Sequence, residues 1–222
     1  MAVSHPAKFS VPILREIADV LGAEPRPTDQ PLCILDPFCG VGGVHILREW
    51  LPEIVETFGF ELEPEWATQS PWTAIGNALD LPCKSKMFDV VVTSPTFGNR
   101  MADHFKATDD SKRITYTHQI GRQLTEGNSG AMQWGDDYRV FHVQAWLEAR
   151  RVLKPGGLLV IDIKNHIRGG EIQKVAEWHL TTLFNMGFLL QEVRKVRCPG
   201  MGFGQNREAR VEFEHLLILR KP

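Results

Sequence analysis

Apolar residues along the chain switch repeatedly between two spacings, and the switches mark the elements. In "SVPILREIADVLG" the apolar positions Ile13, Leu14, Ile17, Val20 and Leu21 recur every three or four residues, which predicts a helix closed by Gly22. "LCILDPF" is a short apolar strand, followed by glycines and then by a helix, "VHILREWL". "EIVETFGFELE" predicts a second strand, "PEWATQ" a short helix, and "WTAIGNALD" a third strand running into a turn. "FDVVVTSP" is apolar without alternation, as expected of a strand covered on both faces at the centre of a parallel sheet. "YRVFHVQAWLEARRVL" is an amphipathic helix, and "KPGG" turns the chain into the strand "LLVIDIK". Another helix is expected over 171–186. "FLLQEVRKV" and "EFEHLLILRK" then form a closing strand pair with no helix between them.

Strand and helix therefore alternate along the chain, which predicts an α/β fold with a doubly wound, mostly parallel sheet and an antiparallel hairpin at one edge. At 222 residues the chain suits one domain spanning 1–222. One segment breaks the rhythm. Residues 98–137 are polar and irregular, too long for an idle connection, and are expected to form a substrate-facing insert or lid within the domain.

The composition, 43% hydrophobic and 23% charged, is that of a globular protein. No apolar run reaches the roughly 18 residues of a membrane span, and "MAVSHPAKFS" lacks the apolar core of a signal peptide. No membrane partner is expected. Cys33, Cys39, Cys83 and Cys198 form no CxxC pair and have no histidine at zinc-ligand spacing, so they read as reduced thiols without a metal, in the cytoplasm. The net charge of −2 argues against a strongly basic nucleic-acid binder. Its distribution is uneven, because residues 97–210 hold 17 Lys/Arg against 12 Asp/Glu. A basic half suits a polyanion, and it equally suits ordinary solvated surface.

Candidate chemistry gathers at the ends of the predicted strands. "LDPFCGVGG" puts Asp36 at the end of the first strand and Gly40, Gly42 and Gly43 at the turn into the helix, where glycines let backbone approach a ligand closely. Alone, such a loop also suits a dinucleotide or a tight turn. The second strand ends in Glu61, 21 residues after Gly40, where an acid can accept hydrogen bonds from ribose hydroxyls or simply face solvent. The spacing GxGxxG of nicotinamide enzymes is missing.

Asp36-Pro37-Phe38-x-Gly40-x-Gly42 resembles the first motif of class I S-adenosylmethionine-dependent methyltransferases, in the form carried by DNA amino-methyltransferases (N4-cytosine and N6-adenine type). "FGFELEP" is similar to the ribose motif of that class and "GNALDLP" to its adenine stretch, with Asn77 where an Asp is common. "HPAKFS", with Phe9 and Ser10, resembles the upstream motif at the methionine end of the cofactor, although Ser10 and Pro12 also read as a capped helix start. The resemblance implies a Rossmann-like, seven-stranded methyltransferase fold and S-adenosyl-L-methionine as cofactor. It implies cofactor contacts from Phe9, Ser10, Asp36, Phe38, Gly40, Gly42, Glu61, Leu62, Asn77 and Ala78.

"VVTSPTFGNR" looks like the catalytic Ser-Pro-Pro-Tyr signature of cytosine-N4 enzymes, with Thr96 replacing the second proline and Phe97 the tyrosine. An exocyclic amine is a poor nucleophile because its lone pair is delocalised into the ring. Acceptors on its N–H bonds favour the tetrahedral nitrogen of the transition state. The Ser94 hydroxyl and Pro95 carbonyl offer two, and Phe97 can stack on a base for roughly 1–3 kcal/mol. Each also has a structural reading: Ser94 as a cap, Pro95 as a strand terminator, Phe97 as core.

The implied activity is methylation of a nucleobase amine, in DNA before RNA and at cytosine N4 before adenine N6. A protein-glutamine or small-molecule amine is the other enzymatic reading, and a non-enzymatic binding module the last. DNA enzymes with this motif order usually carry a recognition domain, and none fits here. Recognition would fall to 98–137, to "CPGMGFGQNREAR", or to a partner chain. Arg100, His104, Tyr116 and His118, with Lys106, Lys112, Arg113 and Arg122, mix cations and a ring as a base cradle does. Lys164, His166 and Arg168 follow a strand at the same edge and are candidate phosphate contacts.

Overall fold

A computed structural model describes residues 5–26, 30–98, 115–197 and 211–222. The first helix is α1 (Val11–Ala23), with Ser10 as its N-cap, accepting from the Ile13 amide at 3.5 Å. It runs through Gly22 to Ala23 rather than stopping at the glycine. Next come β1 (Leu32–Asp36), a 3-10 turn (Gly43–Ile46), α2 (Leu47–Trp50), β2 (Val55–Glu61), α3 (Pro64–Ala67), β3 (Thr73–Ile75) and β4 (Phe88–Thr93). Beyond the insert's α4 (Tyr116–Ile120) lie α5 (Asp136–Val152), β5 (Leu153–Ile163), β6 (His166–Arg168), β7 (Glu171–Gln173), α6 (Val175–Asn185), β8 (Leu189–Arg197) and β9 (Phe213–Arg220).

Seven strands form one sheet in the order β3-β2-β1-β4-β5-β9-β8. The first five are parallel, and β9 runs antiparallel to both β5 and β8. Alternate residues of each strand feed two separate cores. Ile34, Val90, Val92, Leu158 and Val160 pack with Ile13, Ile17 and Leu21 of α1 on one face. Leu35, Val91, Leu159 and Ile161 pack with Trp146 and Ala149 of α5 and Leu183 of α6 on the other. The sheet is therefore doubly wound. Chain order reverses between β1 and β4, which opens a crevice at the carboxyl ends of the strands, where such sheets bind ligands.

Three local expectations are corrected. The helix expected over 171–186 starts at Val175, because Gly169 and Gly170, both at positive φ, turn β6 into β7 first. Asn165 then accepts from the Ala176 amide at 2.8 Å and fixes the helix start. "KPGG" is not a simple turn: β5 runs through it, with a shift of pairing against β4 between Phe88 and Val90. "VHILREWL" divides into a 3-10 turn and a single α-helical turn. Among the described residues no helix is long and apolar enough to cross a membrane.

The loop after β1 lies against β2 at Gly59, and a Cβ on that glycine would sit 2.2 Å from Cys39 Sγ and 2.7 Å from its Cβ. Gly59→Ala should therefore destabilise the chain by about 2–3 kcal/mol through overpacking, read as a lower urea midpoint with unchanged slope.

Candidate functional site

Parallel pairing brings the ends of β1, β2 and β4 to one level. Asp36, 1% exposed, ends β1, and its Oδ1 accepts from the Phe38 amide at 3.0 Å and from Thr93 Oγ1 at 2.7 Å. Burial pushes its carboxyl up to about 7, more than those two hydrogen bonds pull it down. Glu61 ends β2. Its Oε2 accepts from the Gly40 amide and its Oε1 from the Glu63 amide, both at 2.9 Å, so this carboxylate folds the glycine loop onto the second strand. Burial, with the neighbouring Glu63, raises its pKa. Each Glu61 oxygen keeps a further lone pair for a ligand.

Above these ends lies a cavity of about 650 Å³, in the size range of cofactor sites. Its walls gather most of the expected residues: Phe9, Asp36, Phe38, Gly40, Glu61, Leu62, Asn77, Ala78, Ser94, Pro95, Phe97, Tyr116, Lys164 and His166. Others are placed differently. Ser10 is the cap of α1, and Gly42 sits at φ +87, with His45 Cδ2 2.7 Å from where its Cβ would be, so it shapes the turn from behind. Neither lines the cavity, nor do His118 and Arg168, whose guanidinium donates to the Trp134 carbonyl at 3.5 Å. Arg100 and His104 lie outside the described residues, as do Lys106, Lys112 and Arg113. Asn77 Oδ1 accepts from the Leu79 amide at 2.9 Å and keeps one lone pair.

The strand-end loop closes the opposite wall. Ser94 Oγ donates to Asp162 Oδ2 at 3.1 Å, which commits its one proton and leaves its lone pairs to accept. Asp162, 3% exposed, ends the apolar part of β5, and its Oδ1 is buried without a partner among the described residues. Burial, and then Glu214, raise its pKa well above the carboxylate range. Lys164 faces Glu214 at 3.6 Å, so its charge is matched within the cavity wall. Both ring nitrogens of His166 lack partners among the described residues, and burial lowers its pKa.

The described part of the insert is tied down through Glu63. Fully buried Glu63 accepts from Arg122 Nη2 (2.7 Å), the Thr125 amide (2.7 Å), Thr125 Oγ1 (2.9 Å) and Asn128 Nδ2 (2.7 Å). Arg122, expected among the substrate cations, is held here by Glu63 and Glu65 together. From this segment Tyr116, Asn128 and Ser129 reach the cavity, beside Trp66 and His5, whose rings meet edge to face at 4.4 Å. Burial takes the His5 pKa down to about 4, so its ring is neutral.

Sequence reasoning missed Glu63, Trp66, Asn128, Ser129, Phe141, Asp162 and Glu214. Only Asp162 left a signal, an acid interrupting the apolar run "LLVIDI".

No protein-family model matches the chain, and no curated protein does either. Solved structures do. A SAM-dependent methyltransferase from Aquifex aeolicus superposes with a TM-score of 0.53 at 11% identity, over 94% of this chain and 89% of its own. Geranyl diphosphate methyltransferase, solved with GPP and sinefungin, gives 0.57 at 13% identity, over 94% and 78%. The [4+2]-cyclase SpnF gives 0.57 at 16% identity, over 98% and 84%. The chain has the fold these proteins share, and the cyclase among them shows that the fold does not dictate one reaction.

The raised Asp36 pKa has a defined sign. Between pH 4 and 7 the Asp36 carboxyl holds its proton in the folded chain and loses it in the unfolded one, so its own contribution to stability falls as pH rises through that window and stays lower above it, against the buried histidines His5, His45 and His142, which act in the opposite sense. In the absence of ligand, this contribution is on the order of 4 kcal/mol. Asp36→Asn should remove it, seen as a gain in urea-derived stability of the variant relative to the parent chain that grows as pH rises from 4 to 7.

Proposed function

We propose that the chain is an S-adenosylmethionine-dependent methyltransferase acting on an exocyclic amino group of a nucleobase, in DNA and at cytosine N4 ahead of adenine N6. The observation that carries this reading is the Ser94 hydroxyl, whose proton goes to Asp162 and whose lone pairs remain at the wall of the cavity that also holds the glycine loop and Glu61.

The residues suit a cationic, ribose-bearing cofactor. Asp36 and Glu61 are buried acids beside the cavity, each satisfied mainly by uncharged donors, so positive charge nearby relieves their desolvation. Glu61 keeps lone pairs for ribose hydroxyls, and Leu62, Asn77 and Ala78 line the same wall for an adenine ring. When bound, S-adenosylmethionine supplies a methyl group on an electron-poor sulfonium. The chain's own part is to position and desolvate the amine. Ser94 Oγ and the Pro95 carbonyl accept its two N–H bonds and draw the nitrogen towards tetrahedral geometry, and Phe97 packs on the ring that bears it. The proton released from nitrogen passes to water.

Target recognition in this reading belongs to residues 98–137, to 198–210 or to a partner chain. One observation favours a second reading, a small-molecule amine. In the basic half, Arg122, Arg139, Arg151, Lys154, Lys164 and Arg194 all pair with carboxylates, which lowers the charge left for a polyanion.

Incubation with methyl-labelled cofactor and duplex DNA, single-stranded DNA, total RNA or total protein, followed by nucleoside analysis, tests the proposal. N4-methylcytosine or N6-methyladenine from DNA is expected. Label confined to RNA or protein overturns the substrate, and no label in any arm overturns the nucleobase reading. Ser94→Ala should lower turnover about 100-fold at unchanged cofactor affinity. Glu61→Ala should instead weaken cofactor binding, and calorimetric affinities equal to the parent's would remove its ribose role.

A further inference from the structure

Behind the strand-end loop, on the helical face away from α1, three buried polar groups form a directed chain. The Trp146 indole Nε1, which can only donate, lies 3.0 Å from His179 Nδ1. His179 Nδ1 is therefore the acceptor, and the ring, kept neutral by burial, carries its proton on Nε2. Nε2 lies 2.9 Å from Tyr138 Oη and donates to it. The phenol proton then has one acceptor on the path, the Thr96 carbonyl at 2.6 Å. Trp146, His179 and Tyr138 are all fully buried. Each link fixes the direction of the next, so the chain has one polarity and ends on the loop.

We propose that Tyr138, oriented by His179 and Trp146, is a positioning residue that sets the strand-end loop for methyl transfer. The inference rests on the reading of Ser94–Phe97 as the catalytic loop. Pro95 fixes its own φ, but the peptide plane between Thr96 and Phe97 has no such restraint. Tyr138 supplies it by holding the Thr96 carbonyl, while Thr96 Oγ1 donates to the Ser129 carbonyl at 3.2 Å and the Trp134 amide to the Gly98 carbonyl at 2.8 Å. The same peptide plane orients Phe97 and flanks the Pro95 carbonyl, the groups assigned to the base and its amine. At the position where the resembled signature has a stiffening proline, this chain has a threonine held from outside.

Tyr138→Phe, His179→Gln and His179→Leu test the proposal. Gln can accept from Trp146 through Oε1 and donate to Tyr138 through Nε2, so it keeps the polarity, and Leu abolishes it. Tyr138→Phe and His179→Leu should lower kcat by about tenfold or more, with cofactor Kd within about twofold of the parent, and speed hydrogen exchange at the Trp134 amide, which donates to the Gly98 carbonyl. His179→Gln should retain most of kcat and of the exchange protection. Parent-like kcat and exchange in Tyr138→Phe would overturn the proposal. So would a His179→Gln chain as impaired as His179→Leu, or losses that extend equally to cofactor binding. If the parent transfers methyl to no substrate, the activity reading fails, while the exchange measurements still decide whether Tyr138 positions the loop.

Discussion

Four acids, Asp36, Glu61, Glu63 and Asp162, are buried at the carboxyl edge of one sheet, and the rest of the site is arranged around the energetic burden of desolvating them. They are satisfied to different degrees. Glu63 has a guanidinium and three further donors. Asp36 and Glu61 each receive two uncharged donors. Among the described residues Asp162 receives a single hydroxyl, and one of its oxygens has none. The fully satisfied acid stands away from the cavity wall, and the three that are less so stand on it. Graded satisfaction thus divides the acid that anchors the insert from the three at the cavity wall.

The sheet was legible in the sequence because its cause is periodic. Unbroken apolar strands, glycine turns and amphipathic helices each write a local pattern, and "FDVVVTSP" alone announced a central strand. The cavity wall was legible at the strand ends, where Asp36, Glu61 and Ser94 stand. It was hidden where the partner is distant in sequence. Glu63 reads as one more surface acid, yet its donors lie 59 to 65 residues away. Tyr138, His179 and Trp146 read as the apolar faces of two helices, and only packing brings their polar atoms into line. Arg122 and Lys164 read as free cations because nothing local shows Glu63 or Glu214 beside them.

The sheet and the insert have separate tasks. Strand ends supply the groups that any ligand in the crevice would meet, which is why such different enzymes share this architecture. The described part of the insert, fixed through Glu63 at one side and Thr96 and Gly98 at the other, gives the cavity its particular outline. The outline of the cavity is therefore a property of the insert's anchoring as much as of the side chains that face it.

The position of β9 has a consequence for assembly. The strand that is latest in sequence lies inside the sheet, between β5 and the earlier β8. Until it arrives, β8 has no strand beside it and β5 presents a bare edge made of Leu158 to Ile163. The five parallel strands can zip together from successive units along the chain, but closure waits for a segment that must slip between two strands already synthesised. The apolar side chains of β8, Leu189, Leu190 and Val193, stay partly exposed even afterwards. During that wait the chain is at its most vulnerable to pairing with another copy of itself.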